Sequence, residues 1–191
     1  LYIGRIVQSK GCDFLINAFK KYKKGHDTPL KLVLIGKSDM RIPERDDIVC
    51  LGYVSEDVKN TYLMRAQALI QPSVHESLSL VLLEAMSFKC PVIVPDQCFV
   101  TKEHIKLSKG GWIYKDEKSL FDILNSISFN HDVIRQKGEN GYRYVCSNYS
   151  WNDVLSKLNG IINIFPKIQN QNEYEKPKDN ISPAFDERNI P

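Results

Sequence analysis

The 191 residues, 42% of them hydrophobic, suit one α/β domain with a real core, and no apolar run approaches the roughly 20 residues that a membrane-spanning helix needs. A net charge of +3 is too small to point to nucleic acid. Cys12, Cys50, Cys90, Cys98 and Cys146 form an odd set without C-x-x-C spacing, and His26, His75, His104 and His131 are scattered, so the pattern speaks for reduced thiols in a cytoplasmic protein and against a disulfide scaffold or a zinc site.

The chain opens on an apolar LYIG rather than on methionine or a signal peptide, and reads as a piece that begins inside a strand. Residues 1–4 look like that buried strand, and Arg5 and Lys10 fall in the loop after it. A helix follows over residues 11–24 with Phe14, Leu15, Ala18, Phe19 and Tyr22 on its apolar face. Lys20, Lys21, Lys23 and Lys24 close this helix, where cations complement the dipole. The run reads as a solvated helix end; peripheral contact with a membrane surface is its alternative reading for the whole protein.

Residues 30–36, LKLVLIG, have the continuous aliphatic character of a strand covered on both faces. A short strand over 48–51 leads to Ser55 as an N-cap, with Val58, Tyr62 and Leu63 starting the next helix face. Residues 69–88, LIQPSVHESLSLVLLEAMSF, are the stretch around which the chain is organised. An apolar run ends at Pro72, a polar loop carries His75 and Glu76, and Leu80, Leu83, Ala85 and Met86 begin a helical pattern that holds Glu84. Free N–H groups and the positive end of the dipole at such a helix start favour an anion. Two carboxylates beside an anion site fit a sugar nucleotide: N–H groups around residues 77–81 take the diphosphate, while Glu76 and Glu84 accept hydrogen bonds from hydroxyls of the sugar and the ribose.

Residues 90–95, CPVIVP, read as another buried strand, followed by a loop over 96–100 and a short helix carrying Glu103 and His104. A strand over 110–114 precedes an amphipathic helix over 118–127 with Leu120, Ile123, Leu124 and Ile127 inward. Two further helices cover 131–145 and 151–165, with Trp151 a packing anchor. From Pro166 on, prolines, amides and charges outnumber aliphatics, so residues 166–191 are expected to be a disordered polar tail or linker. Strand and helix alternate about six times without an internal repeat, which implies a doubly wound, Rossmann-like parallel sheet with its ligand at the strands' carboxyl ends.

HESLSLVLLEAMS resembles the segment of retaining GT-B glycosyltransferases of family 4 (glycosyl transferases group 1) that usually reads E-G-F-G-L-x-x-x-E-A-M-A. Ser77 and Ser79 stand where the two glycines are commoner, which gives this loop less freedom to adopt positive φ. GRIVQSKG resembles the family's G-R-x-x-x-x-K-G element, whose arginine and lysine neutralise the donor's diphosphate, and GYVSEDVKNTY resembles its base-side element. Family members often carry two glycines and a glutamate where this chain has DQCFVTKEH, which lacks both glycines, so a role for Glu103 rests on analogy alone.

The resemblance covers residues 1–165 and implies the donor-binding C-terminal half of a GT-B enzyme, with the acceptor-binding half upstream and absent from these 191 residues. It implies Arg5, Lys10 and Glu76 as catalytic residues. Gly4, Tyr53, Val54, Ser77, Leu78, Ser79, Leu80 and Glu84 would bind the donor, with Tyr53 and Val54 on the base side. The donor would be a UDP- or GDP-sugar, bound without metal or other cofactor, and the glycosyl group would pass with retention to a polysaccharide or lipid-linked glycan, as in cell-envelope polysaccharide biosynthesis. Fixed cations are the physical requirement in a metal-free site, because the leaving diphosphate gains negative charge as the glycosidic bond breaks. A sugar-nucleotide epimerase on the same architecture and a non-catalytic nucleotide-sugar-binding module are the alternatives.

Overall fold

The computed structural model describes residues 1–164; the expected polar tail over 166–191, Phe165 and the packing of the Trp151 side chain lie outside the described residues. Six short strands alternate with helices: β1 (Tyr2–Ile3), α1 (Cys12–Gly25), β2 (Leu32–Ile35), β3 (Ile48–Gly52), α2 (Glu56–Arg65), β4 (Leu69–Ile70), α3 (Leu80–Ser87), β5 (Val92–Pro95), α4 (Phe99–Ser108), β6 (Gly111–Tyr114), α5 (Glu117–Phe129), α6 (His131–Asn148) and α7 (Trp151–Ile164). Leu1–Val154 form one compact unit, and α7 from Leu155 on belongs to a second.

All strand pairs are parallel, in two sheets of order β1-β2-β3 and β4-β5-β6. These meet edge to edge at Leu1, whose amino group donates to Ala68 O at 3.0 Å and whose carbonyl accepts from Ile70 N at 2.8 Å. That is the bonding pattern of a parallel bridge, so the strands run 3-2-1-4-5-6, the order of a doubly wound sheet whose direction of winding reverses between β1 and β4.

Alternation along the strands sorts the core onto two faces. Tyr2, Leu32, Leu34, Ile48, Ile70 and Ile93 pack with the apolar faces of α1 and α5. Leu69, Val92 and Val94 pack instead with Leu63 of α2, with Leu82, Leu83, Ala85 and Met86 of α3, and with Ile105 of α4. All four residues of β5 are buried, as a strand sandwiched between helix layers requires.

Most expected elements lie within a few residues of their sequence positions, and the differences have physical causes. Leu80 points outward at 72% exposure, and Leu82 takes the inward place beside Leu83. Helix α4 starts at Phe99, inside the expected loop, because DQCFVTKEH lacks the glycines that would hold that segment irregular. On α1, Ile16 is buried, while Phe14 is partly buried and stacks on Tyr114 with ring centroids 5.9 Å apart. All five cysteines are free thiols, and no helix of the described residues is long and apolar enough to cross a membrane.

Candidate functional site

The loops after β1 and β4 leave the sheet where its winding reverses, which makes the crevice between them the expected ligand position of such a fold. The β1 loop is pinned from below. The Tyr2 hydroxyl, whose pKa burial pushes up, donates to Arg5 O at 2.7 Å. Residues Gln8–Lys10 form a 3₁₀ turn that ends at Gly11 in the left-handed region. A Cβ on Gly11 would stand 2.8 Å from Pro72 O, so a glycine is needed for the two loops to touch. Gly36, at φ +134°, does the same for the β2 loop, where a Cβ would lie 2.0 Å from Gly4 O.

Across this crevice Lys10 Nζ meets Glu76 Oε1 at 2.8 Å, an ion pair in which the Glu76 side chain is only 11% exposed. Gln71, buried at the end of β4, donates from Nε2 to the same Glu76 oxygen at 3.2 Å. Ser73 Oγ donates to His75 O at 3.0 Å and folds the loop back on itself, leaving the His75 side chain exposed. Arg5 is exposed and forms no ion pair among the described residues.

Ser79 stands at φ 61° and ψ 67°, so the serine adopts the left-handed conformation that the missing glycine would have supplied more easily. The loop's reduced freedom thus still admits positive φ at Ser79, whereas Ser77 does not adopt it. The Ser79 hydroxyl is buried without a partner, whereas Ser77, Leu78 and Leu80 are exposed on the rim. Helix α3 starts at Leu80; Leu82 and Leu83 N–H donate to Ser79 O at 2.9 and 3.4 Å, which leaves the Leu80 and Val81 N–H groups without an acceptor within the helix.

Glu84, in the second turn of α3, is half-buried and paired with Lys59 of α2, which also reaches Glu56 at 2.7 Å. Although burial opposes it, the two carboxylates hold the Lys59 amine above its usual pKa. Lys59 escaped the sequence reading; its spacing from Ser55 and Glu56 marks a helix start but does not show that α3 lies alongside. The expected base-side wall is open: Tyr53 is 91% exposed and Val54 half-buried, after Gly52 in the left-handed region.

Below the β4–α3 loop sits His104 of α4, buried, bonded to the Leu78 backbone and with Nδ1 3.0 Å from the Tyr144 hydroxyl. Burial lowers its pKa, with the Leu78 bond working the other way. A cavity of about 440 Å³ lies elsewhere, at the strands' amino ends among Leu15, Leu32, Ala68, Leu120 and Leu124; it is mainly apolar and offers no carboxylate for sugar hydroxyls. No three His, Cys, Asp or Glu side chains gather as a metal site among the described residues.

Residues 1–128 match the family model described as glycosyl transferases group 1. The chain is 29% identical over 179 residues to an uncharacterized glycosyltransferase of Methanocaldococcus jannaschii, covering 86% of this chain and 44% of that protein. It is 25% identical over 178 residues to CapM, a capsular polysaccharide biosynthesis glycosyltransferase of Staphylococcus aureus, covering 87% of this chain and 46% of CapM. The chain thus spans less than half the length of both relatives. Among solved structures it superposes on Anabaena HepE in complex with UDP with a TM-score of 0.72 at 15% identity, covering 86% of this chain and 48% of HepE. With its doubly wound sheet and a family match over two thirds of its length, this chain belongs to the glycosyl transferases group 1.

Proposed function

We infer that this chain is the donor-binding part of a retaining GT-B glycosyltransferase and that a sugar nucleotide lies across the crevice between the β1 and β4 loops. The observation that carries the reading is the Lys10–Glu76 contact, which puts a cation and a carboxylate side by side at the reversal of the sheet. Arg5 and Lys10 take the diphosphate together with the Leu80 and Val81 N–H groups at the start of α3, each charged hydrogen bond contributing roughly 1.5–3 kcal/mol. As the glycosidic bond breaks, the same cations stabilise the charge that develops on the leaving nucleoside diphosphate. Glu76 accepts from a hydroxyl of the transferred sugar and Glu84 from the ribose. Tyr53 and Val54 flank the base, while Gly4 and the 77–80 loop line the phosphate side.

Binding on this reading needs no divalent metal, since the fixed cations supply the positive charge. The acceptor, a glycan or lipid-linked glycan, is held by protein outside residues 1–191, in keeping with relatives of which the matched region is less than half. HepE has been crystallised with UDP and UDP-glucose, which supports a sugar nucleotide as the ligand of this crevice. Titration of the full-length protein with UDP, GDP, UDP-glucose and GDP-mannose, with and without chelator, tests the reading. Saturable binding unaffected by chelator is expected, and binding that chelator abolishes overturns the metal-free site. Proton NMR of a transfer product reads the anomeric outcome directly; an inverted product removes the retaining assignment.

A further inference from the structure

Two buried side-chain polar atoms among the described residues lack a hydrogen-bond partner, Gln71 Oε1 and Ser79 Oγ, and both belong to the single connection from β4 to α3. Buried polar groups are nearly always paired, so two exceptions in one loop call for a reason. Gln71 lies between buried Ile70 and Pro72 and is itself 5% exposed. An apolar side chain would suit that environment better. Its backbone N–H continues the sheet to Ile93 O at 2.9 Å, so the residue cannot shift without breaking the ladder.

The amide orientation is set by Glu76. Nε2 donates to Glu76 Oε1 at 3.2 Å, and turning the amide over would set its oxygen against the carboxylate. Lys10 contacts that same oxygen, and Glu76 Oε2 has no hydrogen-bond partner among the described residues. Glu76 therefore has two holders of different kinds, a flexible lysine 39% exposed and a rigid, buried amide.

We propose that Gln71 is the positioning residue for the sugar-binding carboxylate: when the diphosphate draws Lys10 away, the Gln71 amide keeps Glu76 Oε1 anchored and Oε2 turned to the transferred sugar. The inference rests on Glu76 being the sugar-side carboxylate of the reading above. It explains why a polar side chain with an unpaired oxygen stands at the end of a core strand. Gln71 has no contact with the diphosphate in this arrangement, so its effect appears only in ligands that carry the sugar.

The test uses the full-length protein, with Gln71→Met, which keeps length and removes the donor, and Gln71→Leu as a second variant, alone and combined with Glu76→Ala. Affinities are measured for UDP and GDP and for UDP-glucose, UDP-N-acetylglucosamine and GDP-mannose. Gln71→Met should leave the free nucleoside diphosphate within about twofold of wild type and weaken its sugar conjugate about tenfold, the size expected for one hydrogen bond to a charged group. Combined with Glu76→Ala it should add nothing further, because both act through one carboxylate. Melting should stay near wild type, since losing the Nε2–Glu76 bond is offset by losing an unpaired buried acceptor with the same amide.

Equal weakening of diphosphate and sugar conjugate, or full additivity with Glu76→Ala, would mean a structural role and overturn the proposal. A sugar-specific loss in Glu76→Ala with none in either Gln71 variant overturns it while leaving the donor reading standing. Failure of wild type to bind any of these probes removes the donor reading, and the proposal with it.

Discussion

Lys10 Nζ lies 2.8 Å from Glu76 Oε1, so the cation assigned to the diphosphate and the carboxylate assigned to the sugar are paired with one another. On the proposed reading a donor exchanges these partners: the diphosphate would take Lys10, and Glu76 would accept from a sugar hydroxyl. Lys10→Met should lower the affinity for free nucleoside diphosphate by about 10- to 100-fold, the equivalent of a charged hydrogen bond of roughly 1.5–3 kcal/mol. It should change the unfolding free energy by less than about 1 kcal/mol, because the lysine end of the pair is partly exposed and so screened by water, and Gln71 remains with the carboxylate. Calorimetric titration alongside denaturant melts checks both; a large loss of stability with unchanged affinity would make the pair purely structural.

Glu84 and Glu76 are expected to differ in pattern rather than in size. Glu84→Ala should weaken nucleoside diphosphate and sugar nucleotide alike, by about 1–3 kcal/mol, whereas Glu76→Ala should weaken only the sugar nucleotide. Lys59→Met should follow Glu84→Ala in kind, because Lys59 orients the Glu84 carboxylate from α2. Binding of both ligands at wild-type strength by both alanine variants would return the two glutamates to the role of surface residues.

The two left-handed positions beside the crevice should respond with opposite signs. Ser79→Gly removes the strain of a left-handed non-glycine residue, about 1–2 kcal/mol, against about 0.5–1 kcal/mol of added chain freedom, and it also deletes a buried hydroxyl without a partner. A net gain of about 1 kcal/mol, or roughly 2–4 °C in melting temperature, is expected. Gly11→Ala combines left-handed strain with a Cβ 2.8 Å from Pro72 O and should cost about 1–3 kcal/mol while parting the two loops and weakening the diphosphate. Scanning calorimetry on the pair reads the sign in each case.

His104 makes stability depend on pH in a defined direction. Burial lowers its pKa in the folded state below the ordinary value, so the unfolded chain binds the proton more readily. Stability should therefore fall as pH drops below about 6.5, and the fall should continue until the folded-state pKa is passed. Melts of wild type and His104→Phe at pH 7.5 and 5.5 isolate this contribution by difference. A slope as steep in the phenylalanine variant as in wild type would assign the acid sensitivity to other groups.

What could be read in the sequence was whatever one segment encodes by itself. LKLVLIG and CPVIVP announce buried strands, and the order of polar loops after such strands places Arg5, Lys10, Glu76 and Glu84 along one edge of the sheet. What could not be read depends on contacts between segments. Lys59 becomes Glu84's partner only because α2 and α3 share one core cluster on the same face of the sheet, and Gln71 looks like part of an apolar strand until its amide is seen on Glu76. Leu80 opens the helix as expected, but that it faces outward while Leu82 takes the inward place was not legible, because the left-handed Ser79 before it sets the register there.

The seam at Leu1 bears on how the crevice comes into being. Within each three-stranded half, pairing joins neighbouring stretches of chain, residues 2–52 in one and 69–114 in the other, whereas the seam joins Leu1 to Ala68 across 67 positions. Pairings between distant segments are the slow ones, because a long loop must close before any contact rewards it. The halves can thus form first and the crevice last, so a nucleotide that binds only the closed seam should leave the folding rate of the chain unchanged and slow its unfolding.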